Sequence, residues 1–493
     1  MSRKKQRASV VLVVSMMGIG AGAAAGQNEI QSAAYAEVQQ TGTEPEKLGI
    51  LFPDIQSMQQ ETEQAEILEV PFPDTQNVQQ ETEILEQGLA AFLPKTWYAG
   101  QQGKEPVIKS QGKYASCWAL TAASALEASL LPEQEMIFSA DHIMLQNAFT
   151  ADLEDGGDYL MLMAYLSGWQ GPVLEQEDPY GDRYSPDGLQ AAVHVQEMQL
   201  MRGAALDEIK QMLYQYGAIQ TSLYMSRGTT ENPSYYKKQT AAYYVPESME
   251  ENHDVLILGW DDTFSRFQFA QLPPVDGAFI CQNTWGSDFG QNGIFYVSYA
   301  DANILQNGIV YTKVEADDNY ARIYQADDCG WQGKQGYGSE TCWLANVYTT
   351  VGYAETAQAD TEKEQLAAVG FYATADQTEY ELYLVRDFES EKDFEKKVFL
   401  QSGRLQRVGY YTVDLEQAVE LETGETYAVI VKITAPGEQH PAAVEYQADR
   451  FTQNVTLENR KSYLSRTGKT WECTQERFQT NVCLKAYSRY VEA

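Results

Sequence analysis

Gln111-Gly112-Lys113-Tyr114-Ala115-Ser116-Cys117-Trp118 is the segment on which the reading of this chain turns. It runs into an Ala- and Leu-rich stretch ending at Leu131, which predicts a helix with Trp118, Ala122, Leu126 and Leu130 on one face. Cys117 then falls in the first helical turn. The positive end of the helix dipole favours an anion there and lowers a thiol's pKa. Gln111 lies on the loop just before, where its side-chain amide can point at the atom the sulfur attacks. On this evidence alone, an inert small hydrophobe is the simpler reading of a cysteine at a helix start.

A nucleophilic thiolate needs a base that also stabilises it as an ion pair. The four histidines are His142, His194, His253 and His440. His253 opens His253-Asp254-Val255-Leu256-Ile257-Leu258-Gly259-Trp260, an apolar run that predicts a buried strand with its histidine at the mouth. Ala278 to Gln282 predicts a second short strand, and Asn283-Thr284-Trp285-Gly286 follows it. An asparagine amide can accept from the second imidazole N–H and fix the ring. Trp285 can cover that hydrogen bond, and Gly290-Gln291-Asn292-Gly293 turns into a further strand. His142 and His194 read as structural, since neither opens an apolar strand, and His440 sits in a turn.

Composition narrows the partners. The 493 residues include 70 acidic and 35 basic side chains, a formal net charge of −35. So acidic a surface argues against nucleic acid or an anionic membrane as a ligand. Arg3, Lys4, Lys5 and Arg7 precede an apolar run from Ala8 to Ala25, and small-residue sites follow at 23–25 and 34–36. This predicts a cleaved signal peptide over 1–36, with an uncleaved anchor as the alternative. No later stretch is long and apolar enough to span a bilayer. The mature chain is expected to be secreted, extracellular or attached at the cell surface, where disulfides are permitted.

Residues 37–92 differ in character. Phe52-Pro53-Asp54-Ile55-Gln56 recurs 20 residues later as Phe72-Pro73-Asp74-Thr75-Gln76, and each copy continues into a Gln/Glu-rich tract. Two such copies bury no solenoid core. The stretch reads as an acidic spacer or pro-segment, or as a tandem partner-binding motif.

Three segments together resemble the papain-like cysteine peptidases. Gln111 to Trp118 matches that family's Q-G-x-x-x-S-C-W, Asn252 to Trp260 its N-H-x-V-x-x-x-G-[YW], and Asn283 to Gly293 its N-[ST]-W-G segment. From position 117 to position 253 is 136 residues, within the range usual for such enzymes. The resemblance implies Cys117 as nucleophile, His253 as general base and acid, Asn283 as orienter and Gln111 as oxyanion donor beside the Cys117 backbone N–H. It implies neither metal nor organic cofactor.

The departures are local. Tyr114 stands where a disulfide cysteine is usual, Ala115 where glycine is, and Leu120 where an aromatic is. The stretch from Asp261 to Asp276, with Pro273-Pro274, looks like an inserted loop. No inhibitory pro-segment signature is visible before residue 93.

A bacterial subgroup with a lectin-like domain after the peptidase is the closer likeness. Phe138 to His142, Gly156-Gly157-Asp158 and Glu177-Asp178-Pro179-Tyr180 carry it. By this resemblance Gly156, Gly157 and Trp285 contact substrate; a plain tight turn is the other reading of the glycines.

After Val314 the pattern becomes short alternating runs, at Val369–Thr374, Tyr380–Arg386, Gly409–Val413 and Thr426–Thr434, with Gly turns. That predicts a β-sandwich. The aromatics Trp331, Tyr337, Trp343 and Tyr348 read as core packing more readily than as sugar platforms. Of six cysteines, the nucleophile leaves five. Cys281 reads as a free buried thiol, and Cys329 with Cys342 and Cys473 with Cys483 are the economical pairs among three possible pairings.

The fold class expected is therefore α+β. A papain-like domain over 93–314, with a helical subdomain and a β-barrel-like one, precedes an all-β lectin-like sandwich over 315–493. The function expected is a secreted endopeptidase acting through a thioester. Its partners would be a peptide or protein substrate and, through the β-domain, a carbohydrate or cell-surface ligand. An acyl-transferring transpeptidase or transglutaminase-like enzyme, and an inactive adhesin, are the alternatives.

Overall fold

The computed structural model of the chain describes residues 93–226, 235–351 and 362–492. The expected signal peptide and the repeat-bearing spacer lie outside the described residues. Among the described residues no helix is long and apolar enough to cross a membrane.

The run after Ser116 forms α1, Cys117–Leu130. Sequence periodicity predicts one apolar face, but α1 is buried on every side from Trp118 to Ala128. Its many alanines explain the difference. They let β-strands approach one side and two further helices, α2 (Ala140–Leu145) and α3 (Tyr159–Ser167), the other. Glu127 is the exception in this apolar helix, at 2% exposure. It is tolerable because Lys109 Nζ lies 2.5 Å from Oε2 and the Phe138 N–H donates to Oε1 at 3.1 Å. The pair also ties the loop before Cys117 to the helix.

The strands of this part are β1 (Thr96–Tyr98), β2 (Val193–Met201), β3 (Ile219–Leu223), β4 (Tyr236–Lys237), β5 (Ala242–Tyr243), β6 (His253–Asp261), β7 (Ala278–Gln282), β8 (Ile294–Ser298) and β9 (Gly308–Ala316), of which β3, β6 and β9 pack on α1. The helix α4, Leu206–Tyr216, links β2 to β3. In the sheet they run β2-β9-β3-β6-β7-β8-β5-β4, with β1 on β6. β6 is buried from His253 through Trp260, as its apolar run from Val255 predicts. Its first residue therefore emerges at the end of a fixed strand, opposite the start of α1.

Among the described residues the last third is β-rich, with one short α-helix at Thr474–Phe478. One sheet holds Arg322–Tyr324, Leu484–Glu492, Glu362–Ala373 and Gly409–Leu421. A six-stranded sheet, centred on Thr341–Thr349 and Thr426–Thr434, faces it. Leu366, Val369 and Phe371 from the first meet Leu344, Val429 and Val431 from the second in one core. The four alternating runs named from sequence fall on strands of these two sheets, except for Thr374 and Arg386, each one residue past a strand end.

The sequence gives no hint of how the two parts join. Gly409–Tyr411 pairs antiparallel with Glu197–Gln199 of β2, so one 13-stranded sheet runs through both. A Cβ on Gly409 would lie 2.1 Å from the Met198 carbonyl oxygen, so the junction needs glycine there. The boundary expected at 314/315 falls inside β9, and residues 94–493 form one compact unit.

The disulfide expectation is corrected. Cys329, Cys342, Cys473 and Cys483 are all free. Cys329 Sγ donates to the Ala148 carbonyl and Cys342 Sγ to backbone carbonyls of its own sheet, while Cys473 lies beside Asn459 and Gln475. Each sulfur is turned into a different environment, which cysteine counting cannot detect. Cys281 is buried in β7, as expected. Trp331 and Tyr348 are buried against Tyr372 and Tyr427, the packing reading of these aromatics.

Candidate active site

The start of α1 and the start of β6 meet in a cleft of about 820 Å³. Cys117, His253, Gln111, Gly156 and Gly157 all line it. Asn283 and Trp285 stand behind His253. Ser116 precedes the helix, but its hydroxyl does not cap it. It meets Tyr180 OH at 2.6 Å, and that hydroxyl donates on to the Gln111 carbonyl at 3.0 Å. Tyr180 thus clamps both ends of the loop that carries Cys117. No local sequence signal marks it for this role.

The histidine's tautomer follows from its neighbours. Asn283 Oδ1 accepts from the Thr284 backbone N–H at 2.7 Å, so the atom facing that way must be oxygen. The same oxygen lies 2.8 Å from His253 Nε2. Nε2 therefore carries the proton, and Nδ1 keeps its lone pair. Trp285 covers the pair, with its ring 5.0 Å from the imidazole.

Gln111 is locked as well. Its Oε1 accepts from Thr284 Oγ1 at 2.7 Å and Trp285 Nε1 at 3.1 Å, and its Nε2 donates to the Tyr114 carbonyl at 2.8 Å. The amide is fixed with nitrogen toward the nucleophile loop, and one N–H remains for a reacting oxygen.

The two glycines have separate reasons. Gly156 has φ +79°, a region where side chains are strained. Gly157 packs on Trp118, whose ring would lie 2.4 Å from an added Cβ. Both leave backbone exposed to the cleft. His142 and His194 do not line it. The first meets Tyr165 OH, and the second stacks on Trp169 and meets Asn319.

Burial dominates the electrostatics. It pushes the Cys117 thiol up to about 12, and the charge of Asp254 adds to the effect; backbone hydrogen bonds from Asp254, Trp118 and Cys117 oppose it. Burial lowers His253 to about 4, against the hydrogen bond to Asn283. Both shifts favour neutral groups. An ion pair between the two would have to draw on the attraction within it and on the α1 dipole.

Sequence reading passed over Asp254. Its carboxylate accepts from Ser222 Oγ at 2.7 Å and Gln220 Nε2 at 3.0 Å, and burial raises it to about 6. An acid inside an otherwise apolar strand was the available signal. A carboxyl raised in the folded state gives its stability below its unfolded pKa and loses it as pH rises through the folded one. Asp254→Asn is thus expected to raise Tm at pH 8 and leave it nearly unchanged at pH 4, a contrast that thermal melts at the two pH values would read.

The C-terminal part reaches the cleft rim. Phe451 and Arg450 carbonyls accept from Thr150 N and Oγ1, and Arg450 Nη2 lies 2.5 Å from Asp155 Oδ1. Asp155 adjoins Gly156. Arg450→Ala is expected to raise KM a few-fold while kcat changes less, since an exposed pair steadies the loop without touching the reacting atoms. An equal fall in kcat with KM unchanged would count against that role.

Residues 93–313 match the papain family cysteine proteases, and residues 323–488 match the lectin like domain family. Cathepsin S of Bos taurus is 24% identical over 225 residues, covering 43% of this chain and 62% of that protein. A cysteine protease of Blomia tropicalis is 24% identical over 229 residues, covering 44% and 65%. The chain therefore spans less than two thirds of the length of these curated relatives. Two solved structures share its fold at 22% identity. The clostridial cysteine protease Cwp84 after propeptide cleavage gives a TM-score of 0.69, covering 80% of this chain and 99% of that one. The cysteine protease and lectin-like domains of Cwp84, a surface layer associated protein of Clostridium difficile, give 0.67 over 80% and 89%. With Cys117, His253 and Asn283 brought together at the start of α1 and β6, residues 93–313 form a papain-family cysteine protease domain, and a lectin-like domain follows it.

Proposed function

We propose that this chain is a secreted cysteine endopeptidase. Cys117 gives its proton to His253 Nδ1, and the sulfur attacks the scissile carbonyl carbon. The remaining Gln111 N–H and the Cys117 backbone N–H donate to the oxyanion. Collapse breaks the C–N bond, the imidazolium protonates the leaving amine, and a thioester remains. Water then adds with His253 as base, releasing the acid and the thiol. The double acceptance by Asn283 Oδ1 carries this reading, because it leaves Nδ1 as the one basic nitrogen of a histidine lining the same cleft as Cys117.

In this reading the peptidase part is a helical subdomain facing a β-barrel-like one across the cleft, and the rest is a β-sandwich. The lectin-like match and the surface-layer association of the Cwp84 protein support a carbohydrate or cell-surface ligand for the C-terminal domain and an extracellular location. The N-terminal basic and apolar sequence supports export.

The test is a mixed peptide library incubated with the enzyme and an added amine. Mass spectrometry should find new carboxyl termini within the peptides. Products joined to the amine in place of hydrolysis would make the chain an acyl transferase instead.

A further inference from the structure

Asp254 is an anion beside a sulfur that must itself become an anion. It is 8% exposed and lines the catalytic cleft, and its charge raises the Cys117 pKa. Two neutral donors, Ser222 Oγ and Gln220 Nε2, hold the carboxylate. Gln220 is fixed in turn, accepting from Tyr311 OH at 2.9 Å and donating to the Trp118 carbonyl at 3.3 Å. Among the described residues no lysine or arginine pairs with Asp254. Nearby on the same wall, Glu251 Oε1 is buried with no hydrogen-bond partner. A rigidly held carboxylate without its own cation is costly in the empty cleft, and it is complementary to a cation brought by a ligand.

We propose that Asp254 selects peptides with a lysine or arginine next to the scissile bond, and that this cation, by neutralising Asp254, eases ionisation of Cys117. The inference rests on the peptidase reading and adds the substrate class to it. The charge that slows the free enzyme's thiol thus becomes the recognition element. The cleft's remaining charges point the same way, since Asp158 and Glu251 are acidic and Lys113 is the one lysine or arginine lining it. The ionisable groups around Asp254 are Cys117, His253, Asp158, Glu251 and, from β9, Tyr311. A lysine preference should therefore fade as pH falls below about 6 and Asp254 takes up a proton.

Quenched-fluorescent hexapeptides test this, with lysine, norleucine or glutamate scanned through the three residues on either side of the cleaved bond. At one position or more, the full-length wild type should favour lysine over norleucine in kcat/KM by on the order of tenfold or more, with glutamate worst. In Asp254→Asn that ratio should fall to near one. Peptide-mapped alkylation of Cys117 by iodoacetamide should have its pH midpoint moved downward in the same variant. Wild type that cleaves all three sets equally overturns the inference alone, as does an Asp254→Asn enzyme that keeps the lysine preference. If the variant fails to fold, the wild-type comparison still decides. Wild type that cleaves none of the peptides overturns the peptidase reading and this inference with it.

Discussion

His253→Ala is expected to lower kcat/KM by roughly a thousandfold or more, with little change in stability. His253 is the one histidine lining the cleft among the described residues, and in the proposed mechanism its imidazole takes the thiol proton and returns it to the leaving amine. Its Nδ1 is free for this because Asn283 holds Nε2. Burial keeps that nitrogen unprotonated down to about pH 4, so activity on neutral substrates should fall only as pH drops through that region. Steady-state kinetics with a single peptide, run from pH 3.5 to 8, checks both the loss in the variant and the position of the acid limb. The stability effect has a defined sign. A histidine depressed in the folded state contributes stability above its unfolded pKa, near 6.5, which is lost as pH falls toward 4.

Lys485→Met should have the largest effect on folding. Lys485 Nζ lies 2.7 Å from Asp327 Oδ2, and the Asp327 carbonyl and Gln325 Oε1 accept its other protons at 2.9 Å. The two side chains are 1% and 0% exposed. Removing the ammonium strands a buried carboxylate, at a cost of about 3–5 kcal/mol. Denaturant unfolding reads this as a lower midpoint. Asp327→Asn added to Lys485→Met should recover part of the loss, because the stranded charge goes with it. Since Leu484–Glu492 pairs with Glu362–Ala373, and Gly409–Leu421 links that sheet to β2, the damage should reach the peptidase half. Unfolding in two separate steps would contradict that coupling.

The four positions proposed as catalytic could be named from sequence because each lies in a short segment with its own local logic. A cysteine at the start of an Ala-rich helix, a histidine opening an apolar strand and an asparagine ending the next are all readable within about ten residues. What stayed hidden depends on residues far apart in the chain. Tyr180 reaches Gln111 and Ser116 across a turn with no periodic pattern. The junction of β2 with Gly409–Tyr411 joins strands more than 200 residues apart, and edge pairing of that kind leaves no mark on hydrophobic alternation. The cysteine pairs failed because counting sulfurs says nothing about where their Cβ vectors point. The periodicity of α1 misled for a related reason, since alanine fits a helix surface whether a strand or solvent lies outside it.

The central claim is that Cys117 forms a covalent acyl intermediate. Acid quenching during turnover of a slow ester or peptide substrate, followed by intact-mass measurement and peptide mapping, tests it directly. The expected result is a mass increase equal to the acyl half of the substrate, located on the peptide that contains Cys117 and absent from Cys117→Ala. An adduct on any other residue, or turnover retained in Cys117→Ala, would contradict it.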